Sequence, residues 1–119
     1  MEQRIRVLIA DDSPRSRDGL RELLATWLEV DVVGEAADGQ EAVRLVDELR
    51  PDVVLIDARM PTMNGPEATR LIKKKWPEVK VIMLTMYANY RADALASGAD
   101  SFLVKGCPAE EMLEAILDH

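Results

Sequence analysis

Five short apolar runs, each ending at a polar residue and each followed by a segment of helical period, constrain the fold of this chain more than any other feature. The runs are Arg4–Ala10, Val32–Ala36, Val53–Ile56, Val79–Leu84 and Ser101–Val104. They are rich in Val, Ile and Leu, too short for helices, and barely alternate. Parallel strands covered on both faces read this way. Between them, apolar residues recur at helical spacing. Leu20, Leu23, Leu24, Trp27 and Leu28 share one face of the first helix; Ala42, Leu45, Val46 and Leu49 share one of the second. Ala68, Leu71 and Ile72 mark the third, and Ala109, Met112, Leu113 and Ile116 the last. Ser13-Pro14 supplies an N-cap with Pro at the first helical position, and Asp38…Glu41 and Asn64…Glu67 have capping-box spacing. The fourth helix is Ala-rich, stops at Gly98 and has only Leu95 and Tyr90 as large anchors, so it is expected to pack most loosely.

Strict alternation of strand and helix implies an α/β, doubly wound parallel sheet with helices on both faces. The expected architecture is a flavodoxin-like (βα)5 unit with strand order 2-1-3-4-5. A length of 119 residues, 48% hydrophobic, supports one core, so residues 1–119 are read as one domain. The formal charge of −7 gives no general attraction to nucleic acid or anionic membrane. Any control of DNA therefore has to pass through another segment. The single cysteine, Cys107, excludes an internal disulfide and fits a reducing compartment. The apolar run before Asp11 is too short for a signal peptide or a membrane span, and a soluble cytoplasmic protein is expected.

The residues just past the strands carry the chemistry. Asp11 and Asp12 follow the first run, Asp57 the third, Thr85 the fourth and Lys105 the fifth. In a parallel sheet all these ends lie on one edge, and ligands bind where the strand order reverses, between strands 1 and 3. Carboxylates that meet there repel one another, and unless they are compensated at least one has a raised pKa. A hard divalent cation with few oxygen ligands, Mg²⁺, is the natural compensation. With the Lys105 ammonium and the Thr85 hydroxyl opposite, the set can hold a tetrahedral anion on an aspartate. Each position alone has an ordinary reading, since loops are polar and Asp12-Ser13-Pro14 can be simple capping. Together, in the right chemical types, they point to phosphoryl chemistry.

On these residues the chain resembles the response-regulator receiver domains over essentially its whole length. The matching segments are VLIADDSPRSR, VVLIDARMPTMNG, VIMLTMY and SFLVKG. MLTMY, the Ala-rich helix and SFLVKG are most similar to the NarL/LuxR-type subgroup, whose members carry a C-terminal helix-turn-helix domain. The resemblance implies that Asp57 accepts a phosphoryl group from a sensor histidine kinase. It implies Mg²⁺ ligation by Asp12, Asp57 and the Arg59 backbone carbonyl, with Asp11 acting mainly through a metal-bound water. Thr85 and Lys105 would bind phosphoryl oxygens, and Thr85 and Phe102 would move as the switch. The implied output is homodimerisation or release of a DNA-binding domain that these residues do not include, with a free-standing receiver as the alternative. Candidate dimer faces are the fourth and fifth helices or the first and fifth.

Some positions depart from the family pattern. Gly106 follows Lys105 where many receivers have Pro, and a cis bond before glycine is costly. Met86 is larger than the residue common after the threonine and is expected to restrict small phosphodonors, while Arg59 and Tyr87 are expected to influence acyl-phosphate lifetime. Phe102, the only Phe, has ordinary core packing as its plain role. Lys73-Lys74-Lys75 reads as a solvated helix face, Arg15, Arg17 and Arg21 as solvated surface, and Cys107 as a plain loop thiol. His119 stands alone at the end and is not expected to act. A turnover phosphatase with an aspartate nucleophile would need a second aspartate two residues on, where Arg59 stands. A flavodoxin-like carrier would need a Ser/Thr/Gly-rich loop after the first strand. A receiver that binds partners without phosphorylation would not need the complete acidic, hydroxyl and lysine set.

Overall fold

The computed structural model describes residues 3–118, so the expectation for His119 lies outside the described residues. Five parallel strands form one sheet in the expected order β2-β1-β3-β4-β5. They are β1 (Ile5–Ala10), β2 (Val30–Ala36), β3 (Val53–Ile56), β4 (Lys80–Thr85) and β5 (Ser101–Val104). The helices are α1 (Pro14–Leu24), α2 (Gly39–Leu49), α3 (Gly65–Lys75), α4 (Arg91–Ser97) and α5 (Ala109–Leu117), with a 3-10 turn over Ala88–Tyr90 before α4.

Strand alternation sorts the core into two layers. Leu8, Ala10, Val54, Ile56, Val81 and Met83 face Ala42, Val46, Ala68, Ile72 and Ala94, from α2, α3 and α4. Val7, Ile9, Val53, Leu55, Ile82 and Leu84 face Leu24, Met112 and Ile116, from α1 and α5. Phe102 joins the first layer, buried, with the Arg91 guanidinium 5.0 Å from its ring centroid.

Several sequence expectations are corrected. Helix α1 stops at Leu24, where successive i→i+3 bonds from Thr26 and Trp27 tighten the chain into a turn. Leu28 therefore leaves the apolar stripe and is exposed. Leu71 lies at the edge of its stripe and is also exposed. In α4 the buried residues are Ala94 and Ser97, while Leu95 points to solvent, so it is not an anchor. Tyr90 packs against the core from the 3-10 turn. At α2 the Asp38 carboxylate accepts from the Glu41 N–H, but Glu41 reaches Ala37 rather than Asp38, so the box is not reciprocal. The reciprocal box is present at Asn64 and Glu67. Lys73 is not part of a solvated run: its ammonium binds the carbonyls of Pro77 and Val79 and the Asp100 carboxylate. Every described peptide bond is trans, Lys105–Gly106 included.

Candidate functional site

The sheet ladder continues one residue past the strand ends and fixes the site backbone. The Asp11 N–H donates to Ala36, the Asp57 N–H to Ala10, and the Lys105 N–H to the Thr85 carbonyl at 2.8 Å. Asp57 is clamped further from behind. The Gly65 N–H donates to Ala58, and a Cβ at Gly65 would lie 2.2 Å from the Asp57 carbonyl oxygen. Only glycine lets the start of α3 approach this closely.

Asp11, Asp12, Ser13, Asp57, Arg59, Met86, Tyr87 and Lys105 line a cavity of about 310 Å³ at this edge. Asp11, Asp12 and Asp57 each offer a carboxylate oxygen, all within 4.8 Å of one another. An all-oxygen, acidic donor set of this kind fits a hard divalent cation. Asp11 and Asp57 are buried, at 1% and 8% exposure, and Asp12 is open to solvent.

Repulsion between the two buried carboxylates is already answered by the protein. Lys105 Nζ lies 2.6 Å from Asp11 Oδ2 and 2.9 Å from Asp57 Oδ2. Burial alone would raise the Asp11 carboxyl. Hydrogen bonds from Lys105, Ser16 and the Ser13 N–H, with the lysine charge, outweigh it and hold Asp11 below its ordinary value. Burial likewise works against the Lys105 ammonium, but the bonds and charges of Asp11 and Asp57 win and raise its pKa. So both members of this pair are held ionised.

Two residues of this network were not found by sequence reasoning. Ser16 Oγ donates to Asp11 Oδ2 at 2.6 Å and accepts from Lys105 at 2.9 Å. Arg17, expected on solvated surface, is largely covered, donates to the Asp11 carbonyl and pairs with Glu35 of β2. A serine and an arginine in the first turn of a helix carry no sequence signal for this; only the return of the chain with Lys105 does.

Of the remaining predicted residues, Arg59 lines the cavity and Thr85 does not. Thr85 is fully buried at the end of β4, and its hydroxyl has one long contact, 3.4 Å from the Tyr87 N–H. The Arg59 guanidinium stacks 4.7 Å from the Tyr87 ring centroid, and Met86 beside it is 70% exposed. Cys107 is half-buried against the α1/α5 layer. Among the described residues no helix is long and apolar enough to cross a membrane.

The chain is similar to known proteins over nearly its whole length. The chain is 43% identical over 115 residues to the transcriptional regulatory protein LnrK of Bacillus subtilis, covering 95% of this chain and 52% of that protein. It thus spans about half the length of the curated relatives it matches. The solved receiver domain of the putative response regulator NarL from Mycobacterium tuberculosis superposes with a TM-score of 0.92 at 34% identity, covering 98% of this chain and 96% of that one. A Borrelia burgdorferi structure, a complex of CheX, CheY, beryllofluoride and magnesium, matches with a TM-score of 0.84 at 28% identity, covering 94% and 86%. Residues 7–117 match the response regulator receiver domain, and the chain belongs to that family, the receiver domains of two-component signalling.

Proposed function

We propose that this receiver accepts a phosphoryl group on Asp57 from the phosphohistidine of a sensor histidine kinase, with Mg²⁺ as the metal. The observation that carries this reading is the Lys105 ammonium 2.9 Å from a nearly buried Asp57, in one pocket with Asp11 and Asp12. An ionised carboxylate attacks phosphorus without first losing a proton. An O–P bond forms on Asp57, the N–P bond to the donor histidine breaks, and the imidazole leaves with the bonding pair. Lys105 faces the oxygen that loses its charge, and is free to turn an N–H to the incoming phosphoryl group. Asp12, Asp57 and the Arg59 carbonyl would hold the metal directly, and Asp11 through water. Mg²⁺ supplies positive charge against the carboxylates and the phosphoryl oxygens. The Thr85 hydroxyl, weakly held in its present position, moves to a phosphoryl oxygen, and Phe102 follows behind it. The receiver would also catalyse the slow hydrolysis of its own acyl phosphate.

Relatives named as transcriptional regulatory proteins, of which this chain covers about half, support a reading of the output. Phosphorylation shifts the population of α4, β5 and α5 and so controls dimerisation and a DNA-binding region outside these 119 residues. Incubation with Mg²⁺ and a small acyl phosphate, read by intact mass and size-exclusion chromatography beside Asp57→Ala, tests this. A Mg²⁺-dependent phosphoryl increment in wild type alone is expected, with a change in elution volume. No modification by either an acyl phosphate or a phosphorylated kinase refutes it.

A further inference from the structure

An ammonium group has three N–H donors, and all three of Lys105 are used inside the protein. Their acceptors are Asp11 Oδ2 at 2.6 Å, Ser16 Oγ at 2.9 Å and Asp57 Oδ2 at 2.9 Å. Ser16 is committed in the same direction. Its one O–H goes to Asp11 and its oxygen accepts from Lys105, although a serine in a helix ordinarily bonds its own backbone or water. The Ser16 N–H is taken by Ser13 Oγ at 3.2 Å, which fixes the residue in the first turn of α1 and aims its hydroxyl at the lysine.

The three acceptors differ in what phosphoryl transfer does to them. Asp57 becomes the acyl half of a mixed anhydride and loses the carboxylate charge that drew Lys105. Asp11 shares its charge with any bound cation. Ser16 is neutral, is not among the carboxylates grouped for a metal, and keeps its own chemistry when Asp57 is phosphorylated. Resting on the phosphoacceptor reading above, we propose that Ser16 is a positioning residue acting through Lys105. It retains one ammonium N–H while another turns from Asp57 to a phosphoryl oxygen. Without it, a long side chain that is 20% exposed regains rotamer freedom and one N–H turns to water.

Beryllofluoride with Mg²⁺, added to Ser16→Ala, Ser16→Thr and wild type, tests the proposal in two readouts. The first is the ¹H–¹⁵N signal of the Lys105 ammonium in metal-free protein, assigned by its loss in Lys105→Met. It should be sharp in wild type and Ser16→Thr and broadened by water exchange in Ser16→Ala. The second is beryllofluoride affinity, which should fall roughly tenfold in Ser16→Ala, the scale of one hydrogen bond to a charged group, and recover in Ser16→Thr. A thermal melt of Ser16→Ala confirms that it is folded. A wild-type response that Ser16→Ala leaves unchanged overturns the role of the serine alone. So does a loss that Ser16→Thr fails to restore. Absence of any beryllofluoride response in wild type overturns the phosphoacceptor reading itself, and this proposal with it.

Discussion

The two flanks of the acidic pocket are built differently. On the α1 flank, Asp11 receives Ser13, Ser16 and Lys105 within 2.9 Å, and Arg17 ties its carbonyl to β2 through Glu35. On the β4 flank, the Thr85 hydroxyl has one hydrogen-bond contact, at 3.4 Å, Met86 and Tyr87 are exposed, and α4 is seven residues long with no side-chain cap. Its Leu95 is mostly exposed. The difference separates two tasks. Charges that must stay ionised and close together need a stiff frame, whereas a surface that reports a change needs small free-energy gaps between its arrangements.

The largest effect should come from breaking the backbone clamp behind Asp57, at Gly65. A Cβ there would sit 2.2 Å from the Asp57 carbonyl oxygen and 2.8 Å from Ala58 Cα, and both neighbours are backbone. Gly65→Ala should cost about 3 kcal/mol, read as a lower urea midpoint at unchanged slope. A loss under about 1 kcal/mol would mean that the Asp57 loop yields easily, and that the frame holding the charges is stiff on its α1 side alone.

Lys105→Met comes next. It leaves the buried Asp11 and Asp57 carboxylates facing each other without compensation. The expected destabilisation is about 2 kcal/mol, reduced from that of a fully buried pair because Lys105 keeps some exposure. Millimolar Mg²⁺ should restore part of it, raising the melting temperature more in Lys105→Met than in wild type. Equal shifts in the two proteins would mean that the cation and the lysine do not answer the same repulsion.

Leu95→Ala sharpens the comparison from the soft side. Because the side chain is 63% exposed, the change should stay within about 0.5 kcal/mol in a denaturant melt. A cost near 2 kcal/mol would show that α4 is held by contacts as firm as those of α1.

How far these features are legible in the sequence differs in the same way. The β3 span, fully apolar, matches residue for residue, and so does β5, where Phe102, Leu103 and Val104 follow Ser101. On the edge, β2 begins at Val30 rather than Val32, since exposed Asp31 interrupts its pattern. Asp11, Asp57 and Lys105 meet because strand ends in a parallel sheet share an edge, which topology alone dictates. Thr85, placed by the same rule, is nevertheless buried behind the cavity wall, because which way a strand-end side chain turns depends on packing. Ser16 was invisible because Lys105, which it shares with Asp11, is 89 residues away, and Arg17 because its bonds go to the Asp11 carbonyl and to Glu35 of another strand, which no helical pattern signals. Periodicity failed at Leu28 and Leu95 for a simpler reason. It assigns a helical stripe but not where the helix stops or how much of the stripe its neighbours cover.

Cys107 gives the smallest effect and tests where the stiff flank ends, two residues past Lys105. Burial, and then the charge of Glu111, raise its thiol above the ordinary value of 9.0. A raised thiol pKa means less thiolate at a given pH, so alkylation by iodoacetamide at pH 8 should be several-fold slower than for a free cysteine. The rate should still be climbing when the pH passes 9.0. Beryllofluoride should leave this profile in place if Lys105 keeps its hold on α1 while β4 and α4 rearrange. Faster alkylation in its presence would put the movement on the lysine side of the pocket and reverse the assignment of frame and reporter.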